Sequence, residues 1–161
     1  TMTAIIGPSG SGKTTLMNFL SQRLGTSALK IYGDIFLNGK QLKDLKSIKG
    51  KIGYVTQFDD LYALATVEEC FDFVADMLYQ TIMTREERKE LTNHTIDELR
   101  LDKCRGTIRG DDQIRGCSGG GRKRVSIGCQ LIMKPSILFM DEPTTGLDAM
   151  TALESMQIGR G

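Results

Sequence analysis

The sequence predicts an α/β fold in which a core built on a parallel sheet is interrupted by a helical subdomain. Three observations predict it: a glycine-rich motif at residues 7–14 lies between an apolar run and a helical pattern, the middle of the chain carries two helix-capping signals, and residues 137–140 form a second apolar run. We expect residues 1–58 and 131–161 to form the core and residues 59–130 to form the helical subdomain.

Composition and charge limit the classes of protein that this chain can represent. Its 161 residues are 40% hydrophobic and 25% charged, which is typical of a globular domain, and its net charge of +1 argues against a nucleic-acid-binding surface. No apolar run approaches the ~20 residues that span a membrane, so we expect any role at a membrane to require a partner. The four cysteines lack metal-binding spacing and are predicted to be reduced thiols of a cytosolic protein.

Residues 7–14 fit the phosphate-binding pattern G-x-x-x-x-G-K-[ST]. The apolar run at 3–6 predicts a buried strand before them, and leucines at helical spacing predict a helix over 14–24. Small residues let the backbone curl so that its N–H groups point at phosphate oxygens. Lys13 would contact the β and γ phosphates, and the Thr14 hydroxyl would bind Mg²⁺. A glycine-rich turn before a helix is the alternative interpretation. The candidate nucleotide-binding residues here are Gly7, Pro8, Ser9, Gly10, Ser11, Gly12, Lys13, Thr14 and Thr15.

The next segments predict a hairpin and a strand. Asn38-Gly39 is a strong signal for a tight turn between antiparallel strands. Residues 51–56 read as a strand that ends at Gln57. Because ligands gather at the carboxyl ends of strands in open α/β sheets, Gln57 is a candidate site residue, although its position alone is a weak signal.

Two capping boxes predict helices in the middle of the chain, one formed by Thr66 with Glu69 and the other by Thr84 with Glu87. A single apolar stripe follows the first box. The second box opens a more polar helix through about Leu101, on which we expect the only histidine to lie at the surface. Stripes of this kind are nearly always core, so this region is predicted to have no chemistry of its own until its end.

Residues 117–121 begin a further helix, which should end before Pro135. The hydroxyl of Ser118 and the N–H groups of the glycines that follow it predict a second anion site at a helix N-terminus. A chain with two phosphate cradles suggests that one of them serves a nucleotide held by another subunit.

The apolar run at 137–140 predicts a buried parallel strand that ends in Asp141 and Glu142. A carboxylate at the end of a strand beside the phosphate-binding loop can hold Mg²⁺, and the next carboxylate can polarise an attacking water. General-base help of about 10²- to 10⁴-fold corresponds to roughly 3–5 kcal/mol of barrier. The alternative is a strand that simply ends in acidic loop residues.

Taken in order, these motifs resemble those of the nucleotide-binding domain of ATP-binding cassette (ABC) transporters. Residues 7–14 look like its Walker A motif, Gln57 like its Q-loop, 117–121 like its signature, 137–142 like its Walker B motif and 146–148 like its D-loop. The amino-acid sequence of the signature and Walker B regions is most similar to that of subfamily G, the white or pleiotropic-drug-resistance type. The resemblance implies a P-loop NTPase core of the RecA-like type.

The resemblance also implies cofactors, partners and residue roles. It implies ATP and Mg²⁺, a head-to-tail dimer of nucleotide-binding domains, and a membrane-spanning transporter domain, outside this chain, at whose cytoplasmic face the chain would lie. Gln57 and Glu142 would be catalytic, with Glu142 activating water. Thr14, Gln57 and Asp141 would hold the metal ion. The residues placed at the nucleotide of the opposite subunit or at the dimer interface are Ser118, Gly119, Gly120 and Asp148.

The chain departs from the family pattern at several points. Gly121 stands where the family usually has Glu or Gln, and this glycine should loosen the start of its helix by about 1 kcal/mol relative to Ala. The aromatic residue that stacks on adenine upstream of Walker A and the switch histidine downstream have no counterpart here. We therefore expect a fragment or a truncated product that hydrolyses ATP weakly by itself.

Two other functions remain open. A soluble ABC-type ATPase acting on nucleic acid or ribosomes would use a basic run as its contact surface, although a solvated loop face explains that run more simply and no nucleic-acid partner is expected. A degenerate, non-hydrolysing nucleotide-binding module would fit Gly121 and the missing ends. A nucleoside kinase is disfavoured, because it has no use for the cradle at Ser118. The basic run consists of Lys40, Lys43, Lys46, Lys49 and Lys51.

Overall fold

The computed structural model of the chain describes residues 3–24, 32–42, 48, 50–57 and 61–144. Within them, helices occur together with a parallel pair of strands, as in an α/β fold. The elements are α1 (Lys13–Leu20), β1 (Phe36–Leu37), β2 (Lys40–Gln41), β3 (Ile52–Val55), α2 (Val67–Tyr79), α3 (Arg85–Glu98), a short 3₁₀ helix (Asp102–Cys104), α4 (Gly119–Ile132) and β4 (Ile137–Met140).

A parallel pair of strands, β3 and β4, positions the candidate site. Ile52 lies opposite Ile137 and Val55 lies opposite Met140. Because the two strands run in the same direction, their carboxyl ends meet at one edge, and the residues that follow each strand are neighbours there. The predicted α/β fold with a parallel sheet is confirmed.

The hydrophobic core lies among α2, α3 and α4, which pack against one another. Both predicted capping boxes are present. The hydroxyls of Thr66 and Thr84 accept from the backbone N–H of the glutamate three residues on, and the backbone N–H of each threonine donates to the side chain of that glutamate. A Cβ added at Gly128 would lie 2.5 Å from side-chain atoms of both Leu99 and Phe71, so α4 approaches its neighbours closely. The fully buried apolar residues include Val67, Phe71, Ala75, Ile96, Leu99, Leu101, Val125 and Ile132.

Strands β1 and β2 form the predicted antiparallel hairpin. Asn38 and Gly39 connect them with positive φ values of 51° and 76°. A two-residue turn of this conformation matches the twist of the strands that it joins, which explains the preference for Asn-Gly.

Two predictions near the amino end are wrong. Residues 3–6 form no strand and are exposed, with Ile6 at 92%. A strand needs a neighbour to bond its backbone groups, and these residues pair with neither β3 nor β4. Helix α1 ends at Leu20 and not at 24, because Gln22 adopts a left-handed conformation with φ 62°. The second predicted helix, α3, ends at Glu98, slightly before Leu101.

Candidate nucleotide-binding site

The phosphate-binding loop at residues 7–14 has the backbone that its glycines allow. Gly10 and Gly12 have φ values of 80° and 87°, a region that residues with a side chain rarely adopt. Gly12 is the N-cap of α1 and has no side chain with which to bond the first N–H groups of that helix. A helix start left open in this way presents N–H donors and a partial positive charge to an anion.

The ammonium of Lys13 is folded back onto the loop. Its Nζ donates to the carbonyl oxygens of Gly7 and Pro8, each at 2.9 Å. An ammonium has three N–H donors, so one remains beyond these two bonds. Lys13 therefore braces the curled loop and retains one further N–H donor.

Thr14 and Asp141 meet although they are 127 residues apart in sequence. The hydroxyl of Thr14 donates to Oδ1 of Asp141 at 3.1 Å. The second carboxylate oxygen, Oδ2, lies 3.4 Å from the hydroxyl of Tyr54, and only 6% of Asp141 is exposed. The start of α1 and the end of β4 thus share one polar contact.

Tyr54 is strongly affected by this environment. Burial raises the pKa of the Tyr54 hydroxyl to about 12, with the negative charge of Asp141 and the hydrogen bond to it acting in the same direction. The guanidinium of Arg23 lies 4.8 Å from the centre of the Tyr54 ring and opposes the shift. Tyr54 therefore remains a proton donor to Asp141 throughout the physiological pH range.

Gln57 and Glu142 form the second contact at the strand ends. The amide Nε2 of Gln57 donates to Oε2 of Glu142 at 2.9 Å. Glu142 is exposed and has a φ of 44°, so its backbone turns sharply just after Asp141. This left-handed turn separates the two acidic side chains, since Asp141 is buried beside Thr14 while Glu142 faces solvent beside Gln57.

The signature segment, residues 117–121, begins α4. The hydroxyl oxygen of Ser118 accepts from the backbone N–H of Gly121 at 3.1 Å and caps the helix. Ser118 and Gly119 are exposed, whereas Gly120 is buried. A Cβ added at Gly121 would lie 3.1 Å from Cβ of Cys117, which is tighter than most real contacts.

The loop before the signature segment is held by two glycines. Gly110 has a φ of 70°, and a Cβ at either Gly110 or Gly116 would collide with backbone atoms of the facing part of the loop. The amide of Cys117 donates to the carbonyl oxygens of Ile108 and Arg109 at 3.1 and 3.0 Å. These contacts fix the direction in which α4 starts.

The structure brings some of the predicted site residues into contact and leaves others apart. The structure brings Thr14 together with Asp141, and Gln57 together with Glu142. Ser118, Gly119 and Gly120 form a separate group at the start of α4, and Thr15 lies exposed in α1. Asp148 and residues 146–147 lie outside the described residues, as do Lys43, Lys46 and Lys49 of the basic run.

Sequence reasoning missed Tyr54 and Lys123. The sequence did offer a signal for Tyr54, because a tyrosine near the end of a predicted strand carries a hydroxyl close to the edge at which ligands gather. Lys123 gave no signal, since it stands in a basic triplet that reads as a solvated helix face. In the structure its ammonium donates to the Thr56 carbonyl at 2.8 Å.

A glycine-lined loop at a helix start, joined to a carboxylate at the end of a buried strand, defines a P-loop nucleotide-binding domain. A family model described as ABC transporter matches residues 1–145. The chain belongs to the ABC transporter family, as a nucleotide-binding domain of that family.

Individual relatives agree with the subfamily assignment. The chain is 44% identical to ABC transporter G family member 22 of Arabidopsis thaliana over 95% of its own length and 20% of the relative. It is 44% identical to the broad substrate specificity ATP-binding cassette transporter ABCG2 of Sus scrofa over 94% of its length and 22% of that protein. The chain thus spans about a fifth of the curated relatives that it matches, and the predicted resemblance to subfamily G is confirmed.

A solved structure is also similar to the chain. It is described as the dimeric structure of a post-hydrolysis state of the ATP-binding cassette MJ0796 bound to ADP and Pi. The TM-score is 0.70 at 28% sequence identity, and the match covers 95% of this chain and 65% of that one. Among the described residues, no helix is both long enough and apolar enough to cross a membrane.

Proposed function

We propose that this chain binds ATP with Mg²⁺ and hydrolyses it as one half of a head-to-tail pair of nucleotide-binding domains, and that this work drives transport through a membrane-spanning partner. The observation that carries the proposal is the 3.1 Å contact between the Thr14 hydroxyl and the Asp141 carboxylate. It joins the phosphate-binding loop to the acidic strand end, which is the pairing that a nucleotide with its metal ion needs.

The residues around Asp141 fit a magnesium ion. A buried carboxylate and a hydroxyl are the hard oxygen ligands that Mg²⁺ prefers, and the ion would take its remaining ligands from phosphate, water and the side-chain oxygen of Gln57. When bound, Mg²⁺ would neutralise charge on the phosphates. Lys13 and the N–H groups of the loop, from Gly7 to Thr15, would hold the phosphates themselves.

Glu142 is proposed to accept a proton from the attacking water. Its carboxylate is exposed, so water can reach it, and the 2.9 Å bond from Gln57 holds one of its oxygens in a fixed position. A carboxylate has several acceptor positions, so Glu142 can accept from Gln57 and also from a water. A base positioned in this way supplies about 10²- to 10⁴-fold in rate.

A second nucleotide-binding domain would complete the site. Ser118 and Gly119 are exposed at the start of α4, where a hydroxyl and helix N–H groups can meet a phosphate carried by another subunit. The similar solved structure is dimeric and bound to ADP and Pi, which supports this arrangement. Gly120 and Asp148 are proposed to lie at the same interface.

The helical region, proposed to span 59–130, carries an apolar outer surface that would suit a membrane-spanning partner. Phe73 and Met77 lie one turn apart on α2, and each is 66% exposed. The opposite face of that helix is buried in the core, so this face is available for another protein. Because the relatives are named as transporters, we place the domain at the cytoplasmic face of a membrane rather than on nucleic acid or ribosomes.

The Glu142→Gln variant tests the proposed chemistry. In the protein as its gene encodes it, we expect Mg²⁺-dependent phosphate release from ATP to fall by about 10²-fold or more, while ATP affinity changes little. Glutamine keeps the size and the contact with Gln57 but cannot accept the proton. The matched control is Glu90→Gln on the exposed face of α3, which should keep the wild-type rate. An unchanged steady-state rate in Glu142→Gln would remove Glu142 from the mechanism.

A further inference from the structure

Lys123 is a buried lysine that the proposed chemistry does not use. It lies in α4, shortly after the signature segment, and only 5% of it is exposed. Its Nζ donates to the carbonyl oxygen of Thr56 at 2.8 Å and lies 3.5 Å from the carbonyl oxygen of Gln57, at the outer limit of a hydrogen bond. The helix that starts with Ser118 is therefore tied to the backbone that carries Gln57.

The two edges of β3 explain why side chains from a helix bond its backbone. The carbonyl oxygens of Lys51 and Val55 accept from the backbone of the β4 segment, at 2.8 and 2.9 Å. Backbone groups of successive residues point to opposite edges of a strand, so Tyr54 and Thr56 face away from β4. On that second edge, the Tyr54 amide donates to the side-chain oxygen of Gln130 at 3.0 Å, and Lys123 donates to Thr56.

Helix α4 thus takes the place of a neighbouring strand along this edge. Lys123 and Gln130 are about two helical turns apart and lie on the same face of α4. Gln130 shows that a neutral amide is sufficient to satisfy a buried backbone group here. A buried ammonium is costlier to desolvate than an amide. What distinguishes Lys123 is its location at the end of the strand, next to Gln57.

We propose that Lys123 is a positioning residue that fixes the backbone of Gln57 relative to the signature helix, and so keeps the Gln57 amide on Glu142. The inference rests on the proposed function, because Gln57 and Glu142 are assigned to the chemistry there. In this proposal Lys123 acts through Gln57 and has no direct role at the nucleotide or the reacting water.

The test compares Lys123→Met with Gln130→Met in the protein as its gene encodes it. Lys123→Met removes the bond to Thr56 and the longer contact with Gln57, whereas Gln130→Met removes the bond to Tyr54. Each variant leaves an apolar side chain of similar length. We expect Lys123→Met to lower kcat for ATP hydrolysis about tenfold and to change KM less than twofold, since Lys13 and Thr14 are untouched. Gln130→Met should keep kcat within twofold, and Lys123→Arg, which keeps the charge, should lose less than threefold.

A double-mutant cycle with Gln57→Ala separates positioning from general stability. If Lys123 acts through Gln57, adding Lys123→Met to Gln57→Ala should lower kcat less than twofold further. Equal losses in Lys123→Met and Gln130→Met, or a full tenfold further loss in the double variant, would overturn the proposal. If Lys123→Met does not fold, Lys123→Gln replaces it, with an expected loss of at least threefold. A wild-type protein without Mg²⁺-dependent hydrolysis would instead contradict the proposed function itself.

Discussion

The helical region and the phosphate-binding region of this protein are held together by different forces. In the helical region, formed by α2, α3 and α4, the apolar residues that face the core are buried, and Phe71, Ile96 and Leu99 have no exposed surface. In the phosphate-binding region, α1 buries Met17 alone among its residues, while Leu16 is 46% exposed. The loop is fixed mainly by polar contacts, those of Lys13 with its own carbonyls and of Thr14 with Asp141.

Apolar packing and polar contacts have different consequences for the two regions. Apolar burial at about 25 cal/mol per Å² favours one tightly packed arrangement, and it serves the helices that carry the signature segment. Polar contacts can be exchanged for contacts with a ligand, and they serve the loop that would bind phosphates. A packing change in the first region should therefore alter stability, and a polar change in the second should alter binding.

Gly128→Ala should have the largest effect on stability. The new methyl group would lie 2.5 Å from side-chain atoms of Leu99 and Phe71 in the helical core. Alanine favours a helix over glycine by about 1 kcal/mol, but overpacking a buried site costs more, so we expect a net loss of about 2 kcal/mol in the free energy of unfolding. Denaturant unfolding measures it.

The matched control for this change is Gly106→Ala, where nothing lies within 4 Å of the added Cβ. It should alter the free energy of unfolding by less than about 0.5 kcal/mol. If Gly128→Ala were as stable as the wild type, the helical core would be more loosely packed than the structure describes.

The helical region was also the more predictable one from sequence. Its signals are local, since Thr66 and Glu69 satisfy each other's helix-terminal groups within one turn and need no distant partner. The expected strand at 3–6 failed because a strand depends on a ladder partner that no local pattern reveals. Contacts between residues distant in sequence were predictable only at the sheet edge, because the carboxyl ends of parallel strands meet there.

Thr14→Val should have the next largest effect, on binding rather than on folding. Valine keeps the shape of the side chain but removes the hydroxyl that bonds Asp141 and that we propose as a metal ligand. We expect affinity for ATP in the presence of Mg²⁺ to fall about tenfold, which corresponds to about 1.4 kcal/mol, and the free energy of unfolding to change by less. Titration with ATP, with and without Mg²⁺, measures both effects.

Titrations without Mg²⁺ distinguish a role of Thr14 as a metal ligand from a direct role in ATP binding. Without Mg²⁺, the affinity of Thr14→Val for ATP should approach that of the wild type. The control is Thr81→Val, an exposed threonine between α2 and α3, which should bind as the wild type does. A loss of affinity that is equal with and without Mg²⁺ would separate Thr14 from the metal ion.

Some residues of the site could not have been found from sequence. Asp141 was predictable because it follows an apolar strand, and its contact with Thr14 followed from the motif order. The contact of Lys123 with Thr56 depends on which edge of β3 faces α4, and this is a property of the packed fold. The bond between Gln57 and Glu142 depends likewise on the left-handed turn at Glu142.

Tyr54→Phe should have the smallest effect at neutral pH. The hydroxyl lies 3.4 Å from Asp141, a long bond whose loss should cost less than about 1 kcal/mol of unfolding free energy. The effect becomes visible at high pH, because the pKa of Tyr54 is raised to about 12 in the folded protein. Tyrosine in an unfolded chain has a pKa near 10.

The sign of the pH dependence follows from these two pKa values. The folded state holds the Tyr54 proton more tightly than the unfolded state, so the stability linked to this proton is fully present below about pH 10. It is lost as the pH rises from about 10 through about 12. The wild type should therefore lose stability relative to Tyr54→Phe across that window, and ultraviolet absorbance of the four tyrosines should show one late tyrosinate component. The control is Tyr62→Phe, at an exposed tyrosine, which should keep the late component. If the late component survived in Tyr54→Phe, the tyrosine with the raised pKa would not be the one beside Asp141.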